Sequence, residues 1–181
     1  MVNKRKHEFA IELRREMQTT VLTKVSISDI CKRLRCSRQS FYYYFDEIED
    51  CFSYFLKDSF RSEISDKYLI SDVFNYFDRN AAFIEIINAE QVSRTIFWDT
   101  LYGYARKALD GTLSRNIQEY LNLYSEQREA IVAFYAAGIL EEAKMYLVTN
   151  HVPPKEKRIA YCKAMLGTSE DMRDCILRFS R

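Results

Sequence analysis

Residues 25–45 read VSISDICKRLRCSRQSFYYYF, and this stretch decides the fold. Ser26 opens Ser-Ile-Ser-Asp, a serine with an acid three residues on, which is a helix-capping pattern. Ile27, Ile30, Cys31 and Leu34 follow at i, i+3, i+4 and i+7, one apolar stripe on a two-turn helix. Arg35 and Cys36 break it. Ser37 is placed to cap a second short helix through the amide of Gln39 or Ser40. Phe41 and Phe45, four apart, form that helix's buried side, and Gln39, Tyr42 and Tyr43 share the opposite side. A face of Arg, Gln, Ser and Tyr suits duplex DNA. Arginine forks onto guanine, glutamine onto adenine, and hydroxyls reach phosphate oxygens. A helical hairpin with a merely polar surface is the plain alternative.

Residues 7–51 resemble the DNA-binding domain of the tetracycline-repressor (TetR/AcrR) family of bacterial regulators. The resemblance rests on Ser26-Ile27 at the start of the second helix, Asp29-Ile30 within it, and Ser37-Arg38 opening the recognition helix. It extends to Phe41-Tyr42-Tyr43-Tyr44-Phe45 and to Glu49-Asp50 at the start of a fourth helix. Three positions depart from the family pattern. Arg35 stands where a turn glycine is usual, and a left-handed residue there costs roughly 1–2 kcal/mol. Ile48 stands where a phosphate-contacting lysine is usual, and Tyr44 where histidine is common. The resemblance implies Ser37, Arg38, Gln39, Ser40, Tyr42, Tyr43 and Tyr44 as DNA contacts. It also implies homodimers on a palindromic operator, a connecting helix from about residue 47 to 66, and a dimer interface from the last long helices.

Charge agrees with a DNA-binding head. Residues 1–45 hold ten Lys/Arg against four Asp/Glu, a net +6; the remainder holds seventeen against twenty-two, a net −5. Lys4-Arg5-Lys6 read as a basic arm or a frayed terminus ahead of a first helix with Phe9, Leu13, Met17 and Val21 on one stripe.

Four glycines and two prolines in 181 residues, with long amphipathic runs, predict an all-α chain. The expected division is a helix-turn-helix head over 1–46 and a helical ligand-binding and dimerisation domain over 47–181. In the latter, Ser71 and Asn80 are candidate caps. Ile96, Phe97, Trp98, Leu101, Tyr102 and Ala105 form the richest aromatic cluster, expected to end near Asp110-Gly111. Such a stripe is either core or a pocket wall; Phe97, Trp98 and Tyr102 are the candidate effector contacts, since Trp and Tyr keep a polar handle. Residues 126–149 predict one long helix stopped by Val152-Pro153-Pro154. Ile159, Cys162 and Met165/Leu166 make a further stripe, and Met172, Cys175, Ile176 and Phe179 a last one.

Other classes find little support. The two histidines, His7 and His151, lie far apart, and no nucleophile-base spacing or metal-ligand motif occurs, so neither a catalytic site nor a metal or cofactor is expected. Five cysteines without a C-x-x-C pair fit reduced thiols in the cytoplasm; Cys36, beside the recognition helix, is also a candidate redox sensor. No leader-type segment or membrane-length apolar run occurs. The expected partners are double-stranded DNA, a second copy of the chain and a small-molecule or protein effector. The rival reading is a helical protein-interaction module that has lost DNA binding.

Overall fold

The apolar spacing from Phe9 to Met17 produces helix α1 (Lys4–Glu16); its Phe9 and Leu13, and Met17 just past its end, are completely buried. Against it lie α2 (Ile27–Arg33) and α3 (Arg38–Tyr42). The computed structural model describes residues 4–116, 118–149 and 151–165, and among these it is all-α, with no strand. Six further helices follow: α4 (Ile48–Glu63), α5 (Leu69–Arg79), α6 (Ala81–Asn88), α7 (Gln91–Asn116), α8 (Ser125–Val148) and α9 (Lys155–Met165). The last expected stripe, Met172, Cys175, Ile176 and Phe179, lies outside the described residues.

The chain divides into two compact units, Met1–Ser62 with Arg79–Leu101 and Glu63–Asp78 with Tyr102–Arg181. The first contains the expected head. Its core is unusually aromatic: Phe9 meets Phe41 edge-on at 5.4 Å, Phe41 meets Phe45 at 5.5 Å, and Phe60 meets Phe97 at 5.7 Å. Such pairs add to the burial of large apolar area. α4 opens with Glu49 and Asp50 at its positive end, and Asp50 accepts the Glu47 amide at 3.2 Å. The helix stops at Glu63, three residues before the expected end.

In the second unit the buried face of α5 carries Leu69, Ile70, Val73, Phe74, Tyr76 and Phe77. Tyr146 of α8 stacks edge-on against Phe74 and donates to Asp78 at 2.7 Å, and Lys155 donates to the same carboxylate at 2.7 Å. Burial and the Asp78 bond push the Tyr146 hydroxyl up to about 12.

Two local expectations, Ser71 as a cap and Gly111 as a helix end, need correction. Ser71 lies inside α5; the capping serine is Ser65, whose hydroxyl accepts the Lys67 amide at 3.2 Å and starts a 3₁₀ turn (Asp66–Tyr68) leading into that helix. Asn80 is the N-cap residue of α6, as expected, without a side-chain cap bond. Gly111 ends nothing: α7 runs through it to Asn116, because Leu109 and Leu113 keep burying the same face on either side. One glycine costs only about 1 kcal/mol in a helix, less than that burial returns. α8 is shifted by one residue from the expected 126–149 and ends at Val148, ahead of the prolines.

Candidate nucleic-acid interface

Ser26 caps α2, accepting the Asp29 amide at 3.3 Å, and Ile30 and Cys31 sit in the core. The helix ends in a Schellman turn. The Cys36 amide donates to the Cys31 carbonyl at 2.9 Å, the Arg35 amide to Lys32 at 3.2 Å, and Arg35 between them is left-handed at φ 50°. Arg35 thus occupies the position where glycine is most at ease. The next residue after the turn is Ser37, whose hydroxyl accepts the Ser40 amide at 3.3 Å and starts α3. Two capped helices are therefore joined with almost no slack.

α3 is shorter than expected. Its regular part closes at Tyr42, but Tyr43 stays helical, and the amides of Tyr44 and Phe45 both return to the Phe41 carbonyl, at 2.9 and 3.1 Å. The tightened last turn carries Phe45 back into the core beside Phe41. On the other side Ser37, Arg38 and Gln39 are exposed, Tyr42 is 45% exposed and Tyr43 81%. Ser40 and Tyr44 are half-buried. The Arg38 guanidinium donates to the Tyr42 hydroxyl at 3.1 Å and lies over its ring; that hydrogen bond holds the arginine's pKa above its ordinary value. Of the seven residues expected to contact DNA, Arg38, Gln39, Ser40 and Tyr42 lie on α3, Ser37 and Tyr43 cap it, and Tyr44 follows in its closing turn.

The basic surplus of the first quarter divides between structure and surface. Arg33 is clamped by Glu12, at 3.0 Å, and by Glu16. Arg5 donates to Glu8 at 2.7 Å and to the Leu34 carbonyl at 3.1 Å, tying α1 to the turn. Lys6 lies over the Phe45 and Tyr54 rings and Arg14 over Phe83. Lys4, Arg5 and Lys6 are thus the first turn of α1 rather than an arm, because Arg5 and Lys6 find partners in the core. Lys32, Arg35 and Arg38 are exposed around the turn and α3, as is the paired Arg33, and Lys24 is exposed ahead of α2. Ile48, at the start of α4, is half-buried.

The candidate effector residues divide between the units. Phe97 is completely buried, edge-on to both Phe60 and Trp98, in the first. Trp98 is half-buried there. Tyr102 belongs to the second unit, where its hydroxyl lies 3.5 Å from the Ala133 carbonyl and its ring beneath Arg106. Two grooves of about 550 Å³ lie in that second unit. One, between α7 and α8, is lined by Arg106, Lys107, Asp110, Arg128 and Glu129. The other, between α8 and α9, is lined by Phe134, Tyr135, Gly138, Ile139 and Cys162. The charged groove was missed in the sequence because its residues are spaced like any solvated helix face. Among the described residues no group of His, Cys, Asp or Glu converges as a metal site, and no helix is long and apolar enough to cross a membrane. Comparison with protein-family models and with curated proteins gave no match.

Proposed function

We propose that the protein is a DNA-binding transcription regulator of the tetracycline-repressor type, which sets α3 into the major groove of an operator. The observation that carries this reading is the pairing of two capped helices across a Schellman turn, with Arg38, Gln39, Tyr42 and Tyr43 exposed above the buried Phe41 and Phe45. A short helix fixed from below and polar above is what a groove-reading element requires. Gln39 and Tyr42 are assigned to base edges; Tyr43, Tyr44 and the exposed cations to phosphates.

Dimerisation through α8 is part of the proposal. Phe134 (74% exposed), Met145 and Val148 (79%) recur at helical spacing on one side of that helix, opposite the buried Ala136 and Ala143. Exposed apolar stripes of this kind mark association surfaces. An effector that favours a DNA-incompetent arrangement would complete the regulator, and emission from Trp98, the only tryptophan, is a direct probe for it.

The test is equilibrium binding to duplex DNA over a range of salt. Binding whose logarithm falls with log salt by about 0.9 per neutralised phosphate is expected. Gln39→Ala and Tyr42→Ala should each cost roughly 1–3 kcal/mol on a preferred site and little on random DNA, while Tyr43→Phe and Tyr44→Phe weaken both alike. No binding at low salt would leave the protein-interaction module as the better reading.

A further inference from the structure

We infer that Cys31 and Cys36 form a thiol pair which a hydroperoxide oxidises to a disulfide, and that this bond weakens DNA binding by re-setting the turn before α3. The effect on DNA rests on the proposed function; formation of the bond does not.

The Schellman turn brings the pair together. Its outer hydrogen bond, the one that encloses more residues, joins the Cys36 amide to the Cys31 carbonyl at 2.9 Å. With ordinary bond lengths this keeps the two Cα atoms within about 7 Å, the outer limit for a disulfide. The side chains at these two positions of the motif commonly touch, and here the two thiols interact. Their exposure differs in the useful sense: Cys31 is 2% exposed and Cys36 is half-buried. Peroxide therefore meets Cys36 first. Beside it lies the Arg5 guanidinium, held in place by Glu8 and the Leu34 carbonyl and within interaction range of the Cys36 sulfur. A neighbouring cation is the setting in which a thiol is nucleophilic. With two thiols, two nearby guanidinium groups and no third ligand converging among the described residues, the site suits oxidation better than cation binding.

The chemistry balances as follows. The Cys36 thiolate attacks one peroxide oxygen; the S–O bond forms, the O–O bond breaks, and the departing hydroxide takes the thiol proton as water. The Cys31 sulfur then attacks the Cys36 sulfenic sulfur. The S–S bond forms, the S–O bond breaks, and a second water carries off the hydroxyl and the Cys31 proton. Two electrons leave the sulfurs and reduce the peroxide. Burial, and then the neighbouring Cys36 side chain, push the Cys31 thiol up to about 11, so Cys36 rather than Cys31 is the thiol that meets peroxide first. Conversion of Cys36 to a neutral sulfenic acid lifts the second of these; burial still disfavours the Cys31 thiolate, with Arg38 and Arg5 acting against it. Drawing Cys36 towards the core moves the residue beside Ser37, whose hydroxyl starts α3.

The experiment treats the full chain with equimolar hydrogen peroxide, alkylates remaining thiols and digests with trypsin, which cuts between the two cysteines at Lys32, Arg33 and Arg35. The expected product is VSISDICK (25–32) linked to CSR (36–38), absent from Cys36→Ser. Affinity of the oxidised protein for DNA should fall about tenfold, a coupling of ordinary size, and return with dithiothreitol, while Cys36→Ser keeps its affinity after peroxide. Oxidised Cys36 without the linked peptide, or a link to another cysteine, would overturn the pairing. A linked peptide with unchanged affinity would overturn the switch. If the reduced protein does not bind DNA, the functional proposal fails while the linked peptide still decides the pairing.

Discussion

Arg35→Gly offers the sharpest quantitative test of the turn. Arg35 is left-handed at φ 50°, with its amide bonded to Lys32 and the following amide to Cys31, so the surrounding turn fixes its conformation. A side chain in that region costs roughly 1–2 kcal/mol. Glycine removes the cost but frees the unfolded chain, which takes back about 0.4–1 kcal/mol. The net gain is centred on about 0.8 kcal/mol, within roughly 0–1.6. Arg35→Ala is the control, because it removes the same exposed guanidinium and keeps the strain. Urea unfolding followed by Trp98 emission, which reports on the first unit, should give a higher midpoint for the glycine variant than for alanine at unchanged slope. Equal midpoints would refute the strain argument, and a less stable glycine variant would show that the turn in solution is not left-handed.

Three further outcomes are expected. Ser37→Ala removes the hydroxyl that accepts the Ser40 amide and should destabilise the head by about 1 kcal/mol in the same urea assay, with a larger loss of DNA affinity than of stability. Ile48→Lys should steepen the salt dependence of DNA binding by nearly one unit, measured by anisotropy over a salt series; an unchanged slope would mean that residue 48 does not face a phosphate. Burial pushes the Asp78 carboxyl up, but hydrogen bonds from Lys155 and Tyr146 outweigh it and hold the group below its ordinary value. Folding therefore favours the ionised form, so the stability it contributes is present above about pH 4 and lost as pH falls through the folded value. Urea midpoints at pH 6 and pH 3 should differ less for Asp78→Asn than for the parent.

What the sequence revealed was whatever is set by near neighbours. Ser26 and Ser37 cap residues three positions on, and the stripes of Phe9, Leu13 and Met17 or of Phe41 and Phe45 repeat within a helix, so their spacing suffices. The left-handed Arg35 was legible only as a departure from the glycine usual at that place. The uses of the basic residues were hidden, since Arg33 pairs with Glu12 and Arg14 lies over Phe83, partners brought up by the fold. Gly111 read as a stop because glycine often is one; the buried leucines on both sides decided otherwise. Phe97 and Trp98 are adjacent in sequence, yet one is completely buried and the other half-buried, a distinction that aromatic composition does not carry.

Selection of binding sites from a random duplex library, with the full chain as bait, tests the central claim most directly. A DNA-reading α3 presented twice by a dimer should enrich palindromes whose half-sites lie about one helical turn apart, roughly 34–36 Å, and Gln39→Ala should change the enriched bases. A pool that gains no consensus, or gains a single half-site without symmetry, would contradict it.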